Sequence, residues 1–548
     1  MMKRIAIIAG LVMGPFSMIY AQQDTTLMRT VVVENEYNPT IMDASKVNVL
    51  PKIVEPVVTK KKVDYATSLL PVSGWNYEAM PAVIRTNMYE KAKRGHVHAA
   101  YGNRGNVDAG FGYIWDMSKK DRLAIDASFK GWNGEFETLG DTKWTSRFYH
   151  TDIDLGYMHR FKRMDFSMGA SADSKVFNYL PDILVGGEGG YSLYRQNMLQ
   201  LGAWMGLAST DKELPLQWNV QTGVNSLNMK HGVTNEGDGP RQTKVHTLAD
   251  FWGNLSDEQQ VGVKVVMDNL FFSNVTDGSE RKNYTSLAMN PYYTYNNDRL
   301  RLRLGAHVDY LSGDGNGVDF APDVKLEAVF ADSYVFYING TGGRELNDLE
   351  QMSLRSPYWL FRDPVASTYV PLDASLGLKG SPCNGFWFNL YGGYKIHKDY
   401  VFMNASFADP YITWEQNDLN ALYLGADLKY DYKDIVAFSL SGKYYSWNDD
   451  SDDENKDFMN ILPDFTVNAQ VEAKIIDPLK VSLGYDYVKR YDGKLDPVSN
   501  LKVGASYEVL KDLKVFGRVE NLLNKRYLLD TCYPVQKLNF LAGISYKF

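Results

Sequence analysis

Residues 537–548 read KLNFLAGISYKF, and how this stretch is read decides the fold. Leu538, Phe540, Ala542, Ile544, Tyr546 and Phe548 fall on one side of an extended chain, and Lys537, Asn539, Leu541, Gly543, Ser545 and Lys547 on the other. That period of two is a β-strand with one greasy face. Most chains leave their last residues untied, so a patterned strand that runs to the final residue is expected to close something.

Working backward, the same unit repeats. In ALYLGADLKYDY, residues 421–432, Leu422, Leu424, Ala426, Leu428, Tyr430 and Tyr432 share one face, while Tyr423, Gly425, Asp427, Lys429 and Asp431 share the other. Lys433-Asp434 makes a turn, and VAFSLSGKYYSW continues the pattern with Val436, Phe438, Leu440 and Tyr444 opposite Ala437, Ser439, Ser441 and Lys443. Further short turns fall at 118–121, 162–163, 210–213, 256–258, 296–298, 332–333, 381–385, 477–478 and 511–512, with longer or variable connections between them. The acidic run 448–457 is one such loop and reads as solvated. This parity belongs to a closed antiparallel barrel with turns at one end and loops at the other, of about 22 strands. The even count puts both ends of the barrel on the same side.

The faces obey the energetics of a bilayer. In DRLRLRLGAHVDY, residues 298–310, Arg299, Arg301, Arg303, His307 and Asp309 are expected to face the lumen, with Leu300, Leu302, Leu304, Ala306, Val308 and Tyr310 against lipid. An arginine against lipid at mid-membrane costs about 2–4 kcal/mol, so the reverse register is closed to this strand. A soluble sandwich or propeller also alternates polarity, but it explains neither the aromatic terminal strand nor the turn and loop parity.

Composition agrees. No apolar run after the first 21 residues is long enough for a spanning helix, and the mean hydropathy of −0.33 is that of a polar protein. Yet aromatics make up 13%, including 37 Tyr and 11 Trp, as a barrel with alternating lipid contact and aromatic girdles requires. The net charge of −8 argues against nucleic acid as a partner. At the start, Lys3 and Arg4 precede an apolar run that ends near Tyr20-Ala21-Gln22, which reads as a signal peptide over residues 1–21. Residues 22–94 are interrupted by prolines at 39, 51, 56, 71 and 81. They read as an extended Pro-rich tether on the periplasmic side, and 95–548 as the outer-membrane barrel.

The C-terminal NLLNKRY and YPVQKLNFLAGISYKF resemble the end of the TonB-dependent outer-membrane receptor barrels. Asn521, Leu522, Leu523, Asn524, Lys525 and Tyr527 match a stretch that precedes the family's last external loop. Phe548, with Phe540, Ile544 and Tyr546, matches the terminal signal read by the barrel-assembly machinery, while Lys537 stands where an Arg is common. STYVPLDASLGLKG resembles a family strand that descends from a long external loop, without its usual Asn-Pro-x-Leu. The resemblance covers residues 95–548 and implies outer-membrane lipids as surroundings, a Gram-negative outer membrane as location, and periplasmic N-terminal segment and C-terminus. It also implies ligand transport with TonB as a partner. The family's plug domain has no room here, so a plug-lacking member is expected. Its lumen would be filled by the tether, by external loops or by another protein. Thr30, Val31, Val32 and Val33 are similar to the short box offered to TonB, or to a docking strand for another periplasmic protein. The alternative function is a structural barrel that scaffolds an envelope complex through its N-terminal segment.

Nothing points to an enzyme, a metal or a cofactor. The eight His show no metal spacing; His96 and His98 share a face that suits a polar lumen. GDGNG at 313–317 and VGGEGG at 185–190 lack the strand-to-helix context of a phosphate cradle and read as loops. Tyr358, Trp359 and Phe361 lie in the long connection 343–368 and read either as a lid or partner patch or as inward-folded loop core. Cys383 falls in a turn and Cys532 in a loop at opposite ends of a spanning strand, beyond disulfide reach, and both are expected to be unpaired.

Overall fold

The computed structural model describes residues 93–548 except 139–142, 181–194, 232–238, 275–281, 314–316, 332, 360–364, 407–408, 434, 450–456, 494 and 529–532. The signal peptide, the tether with Thr30–Val33, Phe361 and Cys532 therefore lie outside the described residues. Within them the chain forms 22 strands in a single sheet. Each strand pairs antiparallel with the next, and β22 (Asn539–Lys547) pairs back with β1 (Gly95–Gly102), so the sheet is closed. Closure leaves no unpaired edge, which is the condition for placing strands in lipid.

The terminal strand performs the closure its pattern implies. Ala99 stands opposite Ile544 and Ala100 opposite Gly543 at the seam with β1, while Val515 of β21 (Leu513–Glu520) faces Ile544 from the other side. The last residue is tied down too. The Phe548 carbonyl accepts from the backbone N–H groups of Arg94 and Gly95, each at 2.9 Å, and its ring stacks on Tyr113 and Tyr546 at 5.9 Å.

Alternation sorts the side chains as the sequence requires. Phe540, Ile544 and Tyr546 point outward and are exposed, as are Leu422, Leu424, Tyr430 and Tyr432. The outer surface carries a band of Leu, Ile and Val. Trp115, Phe161, Phe330 and Tyr546 flank it at the turn end, and Tyr101, Phe271, Phe320 and Phe540 at the loop end. Two aromatic girdles around an apolar band are the surface of a membrane barrel. Inward lie the charges: Arg303 binds Asp323 at 2.6 Å, donates to Asn290 at 2.8 Å and covers the ring of Tyr292. No described helix is long and apolar enough to cross a membrane.

The tight turns follow local chemistry. Gly385, between β14 (Thr368–Cys383) and β15 (Phe386–Ser406), has a φ of 78°, and a Cβ there would lie 2.1 Å from the Asp431 carbonyl oxygen, so only glycine fits. Cys383 beside it is exposed and has no disulfide partner among the described residues. Loop-end connections are less uniform than the parity implies. Between β15 and β16 (Asp409–Tyr432) only residues 407–408 intervene, because these strands, of 21 and 24 residues, run on as a hairpin well beyond the length a bilayer needs.

Register makes a direct prediction. Leu424→Arg places a cation on the lipid face of β16 and is expected to lower unfolding stability by about 2–4 kcal/mol. Ser441→Arg, on the lumen face of β17 (Val436–Asp449) where Ser441 donates to Asp427 at 2.6 Å, is expected to stay within about 0.5 kcal/mol. Denaturant titration of the two purified variants in detergent measures the difference.

Candidate functional site

The site begins with a short sequence that pattern-reading passes over. Asp348-Leu-Glu-Gln351 has a capping residue followed three positions later by Gln, a helix-start signal. Helix α1 (Leu349–Arg355) starts there, inside the connection between β13 (Tyr334–Glu345) and β14. The Asp348 carboxylate accepts from the Gln351 N–H at 2.8 Å, and Leu349 and Met352, one turn apart, are buried.

The capped end is anchored far from where the connection leaves the sheet. Lys244 of β8 (Arg241–Asn254) donates to Asp348 at 2.9 Å and also to Glu350. Gln200 of β6 (Arg195–Ser209) donates to Glu350 at 2.8 Å, and the Leu349 N–H donates to the Gln242 side chain at 2.7 Å. At the other end Arg355 donates to the Val401 carbonyl of β15 at 3.2 Å. Residues 346–359 thus form a strap across the loop end, from β13–β15 to β6–β8.

Beyond α1 the strap meets the wall on the far side of the ring. Tyr358 stacks on Tyr533 at 3.8 Å with rings 7° apart, and packs edge-on to Trp144 and Phe177. These last belong to β4 (Lys143–Arg160) and β5 (Met164–Asn178); β4 lies ten positions from β14 in a ring of 22. Trp359 is 1% exposed and sits edge-on to Trp414 at 5.5 Å. Of the readings the sequence leaves for this connection, Tyr358 and Trp359 occupy the inward one: they are loop core, not exposed surface.

The loop before β22 supplies Tyr533, and the NLLNKRY motif holds that loop in place. Asn521, 1% exposed with a φ of 50°, donates to the carbonyls of Lys525 at 2.7 Å and Gln536 at 3.1 Å, and accepts from the Lys525 N–H. Asparagine tolerates this left-handed backbone and supplies both donor and acceptor. Burial pushes the Tyr527 phenol of the same loop up to about 12.

Two adjoining cavities lie on the lumen wall beside the strap, which contributes Leu346 to one and Arg355 to the other. One of about 370 Å³ is lined by Lys264, Asn290, His307, Asp309, Arg344 and neighbouring lumen residues. The second, of about 610 Å³, is bounded by Arg355 of α1 and by Tyr400, Trp414, Tyr423, Lys443 and Trp447. Glu345, Asp373 and Lys395 line both. Lys443 lies over the rings of Tyr423 and Tyr445 at 4.6 and 5.0 Å, and the Trp414 indole N–H is buried with no hydrogen-bond partner among the described residues. A pocket of aromatic faces in which Arg355, Lys395 and Lys443 stand beside Glu345 and Asp373 suits a polar ligand with a flat body.

Other residues singled out from the sequence fall elsewhere. His98 is buried and bonded to Asp108 at 3.2 Å on the lumen wall. Among the described residues, one trio of potential metal ligands, His150, Asp152 and Asp173, brings its ligand atoms within 4.8 Å of one another.

No family model matches the chain. A stretch of 55 residues, 10% of the chain, is 40% identical to part of the vitamin B12 transporter BtuB of Photobacterium profundum and spans only 9% of that protein. Solved structures match far more widely. The FrpB iron transporter from Neisseria meningitidis superposes with a TM-score of 0.65 over 84% of this chain and 83% of that one, at 11% identity. The copper transporter OprC gives 0.63 over 83% and 80%, at 11% identity. A mutant of the ferric enterobactin receptor PfeA from Pseudomonas aeruginosa gives 0.62 over 83% and 80%, at 12% identity. At such identities the likeness is one of architecture, and it follows that this chain shares the barrel fold of these transporter and receptor structures, here a closed ring of 22 strands.

Proposed function

We propose that the protein is a transport-type barrel of the Gram-negative outer membrane, which takes a ligand at its loop end and passes it inward with energy from TonB. The observation that carries this reading is the strap with cavities beside it. A scaffold needs a closed wall, but it has no use for a polar and aromatic pocket beside a cross-lumen segment. The neighbours' names, transporters of copper and iron and a ferric enterobactin receptor, favour the same class. In this reading the turn end is periplasmic. The Lys93 ammonium bonds Asp512 at 2.6 Å in the turn between β20 (Val498–Leu510) and β21, so the described chain enters at the end where Phe548 finishes. Residues 30–33 then lie on the side from which TonB acts, and closure of the lumen falls to the strap, without a plug domain.

The test is accumulation of iron-labelled enterobactin and of cobalamin in cells that depend on this barrel. Deletion of Thr30–Val33 is expected to abolish uptake while the barrel still assembles. Uptake that survives the deletion removes the TonB role. No uptake of either compound, together with a stoichiometric envelope protein co-purifying through residues 22–94, would replace transport with the scaffold reading.

A further inference from the structure

The lumen face of β3 (Asp121–Glu137), β4 and β5 is layered. Under the strap's aromatic core, Trp132, Phe148 and Phe177 stand in cross-strand register, with ring centroids 4.6 and 6.4 Å apart. The next layer inward is Lys130, His150 and Lys175; then come Ser128, Asp152 and Asp173; then Asp126, Asp154 and Ser171. Two pairs in this stack put carboxylates directly opposite one another: Asp152 against Asp173, and Asp126 against Asp154. Like charges directly opposite on a sheet are destabilising, and an antiparallel register offers simple ways to avoid them.

His150 sits at the corner of this arrangement. Its Nε2 meets the Asp173 carboxylate, and Lys175 is 3.8 Å from the other oxygen of that group. A histidine–aspartate pair alone would be an ordinary contact. The second carboxylate, Asp152, which also hydrogen-bonds Asp154, has an oxygen within 4.8 Å of both the His150 and Asp173 ligand atoms. One imidazole nitrogen and two carboxylate oxygens within 4.8 Å of one another offer the donor types of a first-row divalent cation.

We infer that His150, Asp152 and Asp173 bind a divalent transition-metal ion of the zinc or cobalt type in the lumen wall, directly beneath the aromatic core. Three protein ligands leave further positions open to lumen water or to an incoming group, as in sites that exchange a ligand rather than lock a structure. The ion adds positive charge between Asp152 and Asp173, beyond what Lys175 and His150 bring to Asp173.

The test uses full-length protein in detergent, stripped with chelator, dialysed to equilibrium against zinc alone and assayed for bound metal. Wild type is expected to retain one equivalent. His150→Ala is expected to bind at least about tenfold more weakly, since removing even a residue that only supports a ligand commonly costs that much. Asp152→Asn keeps the side-chain shape and should weaken binding similarly. His246→Ala removes another wall histidine, bonded to Asp268 at 2.7 Å, and should leave retention unchanged. Heat-modifiable migration in gels confirms that each variant is an assembled barrel. Cobalt substitution adds an absorption band that is lost in His150→Ala. A wild type that retains no zinc, or an Asp152→Asn variant that retains as much as wild type, overturns the site and leaves a plain His150–Asp173 ion pair.

Discussion

A chain that stops after Lys537 will not form a barrel. β22 aligns seven residue pairs with β1 and eight with β21, and its removal leaves two open edges in hydrocarbon. Each unsatisfied backbone group there costs several kcal/mol, and no water is at hand to replace the lost partner. The total far exceeds the roughly 5–15 kcal/mol by which folded domains are typically stable. The expected result is complete loss of the compact, heat-modifiable form and of protease resistance in isolated membranes. Phe548→Ala is a milder counterpart: it keeps the carbonyl that Arg94 and Gly95 reach and loses only the stacks on Tyr113 and Tyr546, worth about 0.5–1.5 kcal/mol each. A barrel that forms at reduced yield from this variant, but is normally stable once formed, would assign the ring to assembly rather than to closure. A stable, closed barrel from the truncated chain would refute the seam.

The strap carries the second large effect. Lys244, Asp348 and Glu350 form a cluster with side-chain exposures of 13%, 1% and 20%. Removing one partner of a buried ion pair costs about 3–5 kcal/mol, because the charge left behind keeps its desolvation penalty. Lys244→Met is therefore expected to free the capped end of α1 from the wall, and excision of residues 347–366 to remove the strap entirely. In planar bilayers the wild type is expected to stay closed, the excised protein to conduct continuously, and Lys244→Met to show frequent openings. The strands are untouched, so both should migrate as assembled barrels. If the excised protein stays closed, the strap is not what seals the lumen.

Much of this architecture is legible in the chain without coordinates because a membrane barrel is governed by local rules. A lipid face admits no charge and a lumen face tolerates them, so Leu300, Leu302 and Leu304 against Arg299, Arg301 and Arg303 state the register of a strand by themselves. Turns such as Lys433-Asp434 and Lys511-Asp512 are equally local. The count of 22 and the closing role of KLNFLAGISYKF follow from summing such decisions.

The site is different because it is made by contacts across the lumen, and nothing in a strand's period encodes what a loop meets ten strands away. Asp348 and Gln351 announce a helix start, but not that Lys244 would be its anchor, 104 residues earlier. Tyr358 and Trp359 read equally well as an exposed patch or as core, and only the positions of Trp144, Phe177, Trp414 and Tyr533 settle that they are buried. His150 and Asp173 are 23 residues apart with no motif between them; hairpin register alone brings them together. The sequence by itself determined the barrel, its strand number and its two faces, since each residue meets or avoids the cost of lipid on its own. The tertiary structure decided what crosses the lumen and which wall residues meet, because those contacts depend on closure of the ring.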